Sequence, residues 1–113
     1  MNIKAWLHKL FCGEPSGTLA ALAPAITTVR TSVTAAIADT VLLGVDMNRG
    51  GVTVFNDSTA VCYVGYGSDA VSTTNYSDQL AAGAYLVVPD RFTSCALHGY
   101  WAAVNGAARI TAA

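Results

Sequence analysis

Charge is what this chain has least of. Only 12% of its 113 residues are charged, six basic and seven acidic, for a net charge of −1. Roughly a quarter is usual for a globular domain. No block of Lys or Arg occurs anywhere, which excludes nucleic-acid binding by phosphate neutralisation. Hydrophobic residues reach 53%, yet no run approaches the roughly 20 apolar residues that a membrane-spanning helix needs. Cysteine is scarce and odd in number: Cys12, Cys62 and Cys95. That set builds no disulfide framework. Cys62 and Cys95 lie in apolar, strand-like segments and read as small buried hydrophobes, suited to folding in a reducing cytoplasm.

The residues of catalysis are equally thin. There are two histidines, His8 and His98. Cys95 and His98 are spaced so that a strand sends them to opposite faces, which argues against a shared metal. His98 reads as a buried or sheet-face residue. The carboxylates Asp39, Asp46, Asp57, Asp69, Asp78 and Asp90 are scattered, nearly all at turn positions that turn formation explains. Asn56-Asp57 lacks the ligand spacing of a calcium loop. Gly65-Tyr66-Gly67 lacks the following helix of a phosphate loop, and no Gly-x-Ser-x-Gly elbow is present. The expectation is a chain with no enzymatic activity, no cofactor and no metal.

What is present is β patterning. From Ile26 onward, Val29, Thr31 and Val33 alternate with Arg30, Ser32 and Thr34, a half-exposed strand. Further short strands are expected at 40–43, 52–55, 60–66, 76–80, 84–88, 95–104 and 107–111. Paired glycines at Gly50-Gly51 open the stretch 49–67. Two apolar segments flank Asn56-Asp57-Ser58-Thr59 there, which reads as a β-hairpin. Asn105-Gly106 is the strongest two-residue hairpin signal in the chain. About eight short strands with turns between them predict an antiparallel β-sandwich or flattened barrel. In the 95–104 segment, Tyr100 and Trp101 are neighbours, so one faces the core and the other outward. The outward one would either contact another subunit or cover the sheet edge.

Ahead of this lies a different element. Ile3, Trp6, Leu7, Leu10 and Phe11 share one face of a helix, with Lys4, His8 and Lys9 off it. Gly13 is placed to cap it and Pro15 to stop it. The organisation expected is an amphipathic helical arm at 1–13, a connector at 14–25 and a β domain at 26–113. His8-Lys9 breaks the apolar run, and no small-residue cleavage site follows, so a signal peptide fits poorly. Large Phe11 before Cys12 speaks against a lipoprotein signal. Docking on the domain's own core or on a partner subunit is the default for so short a helix. A membrane-surface anchor is the less favoured alternative.

With these motifs in view, the stretch from Leu42 to Thr111 resembles small β-rich virion proteins of tailed bacteriophages. The shared pattern is Asn48-Arg49-Gly50-Gly51 before a strand, the Asn56-Asp57-Ser58 turn and the Gly67-Ser68-Asp69-Ala70 loop. Tyr76 to Leu80, Ala82-Gly83-Ala84-Tyr85 with Pro89, and Gly99-Tyr100-Trp101-Ala102 complete it. The resemblance implies a non-enzymatic particle component: a capsid decoration (cement) protein, a head fibre, or a tail or fibre part that binds partners or a host surface. For a decoration protein it implies binding to the major capsid protein, self-association as a homotrimer, and a place on the capsid exterior. The arm at 1–13 is outside the matched pattern.

Overall fold

The structure is a computed structural model, and it describes residues 27–113. The arm and its five apolar residues, Ile3, Trp6, Leu7, Leu10 and Phe11, lie outside the described residues, as does the whole connector. Eight strands follow in order: β1 (Val29–Thr34), β2 (Thr40–Leu43), β3 (Val52–Asp57), β4 (Cys62–Tyr66), β5 (Asp78–Leu80), β6 (Tyr85–Val87), β7 (Leu97–Trp101) and β8 (Ala107–Ala112). A 3-10 turn, Asp90–Phe92, precedes β7. No α-helix occurs among the described residues, and so none there is long and apolar enough to cross a membrane.

The strands form two four-stranded antiparallel sheets, ordered β1-β8-β3-β6 and β2-β7-β4-β5. The pairing is nested: β1 with β8, β2 with β7, β3 with β6 and β4 with β5. Rolling that long antiparallel ribbon adds the pairs β3–β8 and β4–β7. This is the strand order of a jelly roll, eight strands in two sheets.

The expected hairpins are not formed. β3 and β4 belong to different sheets, as do β7 and β8. Every connection except β4–β5 passes from one sheet to the other. The reason lies in the corner residues. A two-residue type I′ hairpin needs positive φ at both central positions. Among the described residues only glycines have positive φ, and of Asn105-Gly106 only Gly106 does, at 71°. Asn105 instead turns its side chain across to the other corner, where Oδ1 accepts the Thr59 N–H at 2.9 Å and its hydroxyl at 3.0 Å.

The 56–59 corner is built on Asn56. The period of two in β3 points Val52, Val54 and Asn56 inward, all buried. The Asn56 amide donates to the carbonyls of Ala60, Leu80 and Ala81 at 2.8–3.1 Å. Its Oδ1 accepts the Ser58 hydroxyl at 2.7 Å and the Trp101 indole N–H at 3.3 Å. The chain therefore bends over the end of the core and enters the second sheet, rather than doubling back in the first.

The core sits between the sheets. Val52, Val54, Ala108 and Ile110 from one pack with Leu42, Cys62, Val64, Leu80, Leu97 and Trp101 from the other. The strand expected over 95–104 is shorter than its apolar run. Beyond Trp101 the backbone turns, with the Ala102 N–H donating to Val61 and the Asn105 N–H to Ala103.

Candidate functional site

With the inner faces spent on the core, what the domain can offer a partner is its outer faces. The first sheet's outer face is fixed by register. One row runs Ser32, Arg109, Phe55, Tyr85; the next runs Arg30, Thr111, Thr53, Val87. Phe55, Tyr85 and Val87 are 39%, 72% and 61% exposed. Cross-strand neighbours on one face touch, so these three form a continuous apolar patch over β3 and the edge strand β6. Arg109 stands beside Phe55. Its Nε donates to Asp57 Oδ2 at 3.0 Å and its Nη1 to the Ser32 hydroxyl at 2.7 Å. The patch is thus apolar at one side of the sheet and bordered by a fixed ion pair at the other.

The second sheet's outer face is partly roofed. The loop 67–77 folds back across it. Val71 sits on Gly65, where a Cβ would strike a Val71 methyl. The Val71 N–H donates to Asp39 Oδ1 at 2.9 Å. His98 Nδ1 donates to both oxygens of the same carboxylate, at 2.9 and 3.1 Å. These two donors, the backbone amide first, hold the Asp39 carboxyl below its ordinary value of 3.8.

An Asp–His pair is also the orienter and base of a hydrolytic triad. Among the described residues, however, no Ser, Thr or Cys side chain is hydrogen-bonded to His98. What the geometry does is clasp the β1–β2 connection and the 67–77 loop to β7. Nor do three or more His, Cys, Asp or Glu side chains gather at metal-binding distance among the described residues.

Of the two aromatic residues singled out in the sequence, Trp101 is completely buried and is withdrawn from any interface. Tyr100 is half-buried on the outer face, directly opposite Tyr63. Cys62 is buried, and burial pushes its thiol up to about 12. Cys95 is half-buried rather than interior. Arg49, read as part of a turn, reaches back to the carbonyls of Gly44, Thr93 and Cys95 at 2.7, 3.1 and 3.3 Å. It ties the β2–β3 connection to the segment before β7.

The apolar outer patch was not singled out from the sequence. The signal was there in the alternation of Val52-Thr53-Val54-Phe55, where Phe55 falls on the polar side. Only the pairing of β3 with β6 puts Tyr85 beside it. No protein-family model, curated protein or solved structure matches the chain.

Proposed function

We propose that this chain is a bacteriophage virion structural protein, a capsid decoration (cement) protein that binds the assembled head. The observation that carries the reading is the exposed Phe55, Tyr85 and Val87 patch on a domain with only 12% charged residues. An apolar, charge-poor face suits burial against another protein. The motif pattern from Leu42 to Thr111 supplies the phage context. Jelly rolls occur in viral capsid domains and also in lectins and cupins, so the topology agrees with the reading without selecting it.

In this reading the patch is the capsid-facing surface, meeting the major capsid protein, and sister copies complete a homotrimer. The mechanism is mass action. A protein that binds only the assembled shell stabilises that shell in proportion to its occupancy. No catalysis is required.

The test is the position and copy number of the protein on purified particles. Shell-wide density with many copies per particle supports the reading. A few copies confined to a tail or fibre would move it to that part of the virion, and absence from particles would remove it.

A further inference from the structure

We propose that the outer face of the second sheet is a binding platform for a neutral saccharide. This rests on the chemistry of that face alone and not on the virion reading. Tyr63 stands directly opposite Tyr100 on one side and Gln79 on the other. Tyr76, from the 67–77 loop, brings its ring to 5.0 Å from that of Tyr63, tilted by 56°. Three of the chain's five tyrosines thus meet on one surface. Tyr63 and Tyr100 are half-buried and Tyr76 is 42% exposed. Rings and solvent therefore meet along an open row.

The row is pre-organised. Tyr76 is followed by Ser77, whose N–H donates to the Val64 carbonyl at 2.8 Å and whose hydroxyl accepts the Tyr66 N–H at 3.1 Å. On its other side, the Asn75 amide donates to the Ala70 carbonyl at 3.0 Å. The 67–77 loop is further pinned by Val71 to Asp39. A ring held in place before binding loses little entropy on binding.

The row itself carries no charged side chain, and its polar groups are unspent among the described residues. None of the Tyr63, Tyr76 and Tyr100 hydroxyls bonds to another described residue, and Gln79 is exposed. Two of the neighbouring carboxylates are engaged, while Asp69 of the 67–77 loop is exposed. Asp78 turns to the inner side and accepts the Tyr66 hydroxyl at 2.9 Å, and Asp39 holds Val71 and His98. A hexopyranose matches these terms. Its C–H face is slightly positive and suits the negative face of an aromatic ring. Its rim of hydroxyls suits phenols and an amide, and it needs no counter-charge. An anionic ligand finds no cation on this row.

The test uses the full chain, labelled with ¹⁵N, titrated with maltohexaose, mannohexaose, cellohexaose and chitohexaose. Binding of at least one should give saturable shifts at Tyr63, Tyr76, Gln79 and Tyr100. Tyr63→Ala should weaken that binding about tenfold, the loss of one stacking contact. Tyr100→Phe keeps the ring and should retain most of the affinity with the fold intact. Val45→Ala, on an exposed connection of the other edge, should leave it unchanged. The proposal is overturned if none of the four sugars shifts these residues. It is equally overturned if the shifts do not saturate, or if Val45→Ala weakens binding as much as Tyr63→Ala.

Discussion

The Trp101 indole N–H donates to Asn56 Oδ1 at 3.3 Å, and both side chains are completely buried. The bond runs from β7 in one sheet to β3 in the other. The same Asn56 amide caps three carbonyls at the 60 and 80–81 corners. One short polar side chain thus closes one end of the core and joins both sheets to two of their connections. A buried polar group so fully paired stabilises, but losing one partner exposes the cost of the rest.

Asn56→Ala should therefore be severe. It leaves the buried indole N–H unpaired and strips a donor from three carbonyls, of which Ala60 keeps the Ser58 hydroxyl and Ala81 keeps the Ala84 N–H, a loss of roughly 3 kcal/mol. Asn56→Asp should be no milder, because a carboxylate cannot donate to the three carbonyls and would be buried as a charge. Trp101→Phe removes one donor and part of a ring and should cost less, roughly 1–2 kcal/mol. Urea unfolding of the three variants and of the double mutant Asn56→Ala/Trp101→Phe checks this. A double-mutant loss equal to the sum of the singles would show that the two residues do not act together.

The corner glycines give a second comparison. Gly83 and Gly106 both have positive φ, 75° and 71°. A Cβ on Gly83 meets nothing, whereas one on Gly106 runs into the Asp57 carbonyl and the Ser58 backbone. Gly83→Ala should cost only the conformational strain, about 1–2 kcal/mol. Gly106→Ala should cost distinctly more, since backbone must move. Equal midpoints in thermal unfolding would mean that the corner yields freely.

These corners also explain what local reading could and could not reach. Strand positions were legible because inward and outward residues alternate: β2 was expected at 40–43 and occupies Thr40–Leu43, and β8 was missed by one residue at its end. Pairing was not legible. Asn-Gly and Asn-Asp-Ser report only that the chain turns, not whether it stays in its sheet. That choice is made by Asn56 facing inward and by Asn105 keeping negative φ, both tertiary outcomes. The Asp39–His98 contact joins residues 59 apart. It exists only because β2 pairs with β7, so no motif search would bring the two together. The five arm residues lie outside the described residues.

Acid should loosen the clasp on the 67–77 loop. Asp39 is held below 3.8 by the Val71 amide first and His98 second. A carboxyl with a depressed folded-state value stabilises the fold above its unfolded value and loses that contribution as pH falls through the folded one. Stability from this group is thus intact at neutral pH and fades only below 3.8. Asp39→Asn should flatten that acid limb of the melting temperature against pH. It should also speed amide exchange at Val71 at neutral pH. An unchanged acid limb together with unchanged exchange at Val71 would contradict the clasp.

The two described cysteines should differ sharply in reactivity. The thiolate is the nucleophile, and Cys62 is both buried and pushed up to about 12. Cys95 is half-buried. In a Cys12→Ser chain at neutral pH, a thiol reagent should label Cys95 in the native protein and Cys62 only after denaturant is added. Simultaneous labelling of both without denaturant would mean that the core opens far more often than its packing suggests.

The outer face of the first sheet should separate binding from folding. Phe55 and Tyr85 contribute little to the core, so Phe55→Ser and Tyr85→Ser should shift stability by less than about 1 kcal/mol. If the patch faces the capsid, the same changes should weaken binding to purified, undecorated shells by about tenfold or more each, mainly through faster release. Arg109 is a different kind of contributor. Its ion pair with Asp57 is half-exposed on both sides, and such pairs are worth at most about 1 kcal/mol to the fold. At the rim of an interface a charge governs encounter more than release. Arg109→Ala should therefore leave the fold and the off-rate nearly unchanged while altering the on-rate and its salt dependence. Surface plasmon resonance on immobilised shells resolves the two rates. Loss of shell binding from Arg109→Ala with none from Phe55→Ser would place the contact on the charged border instead of the apolar patch.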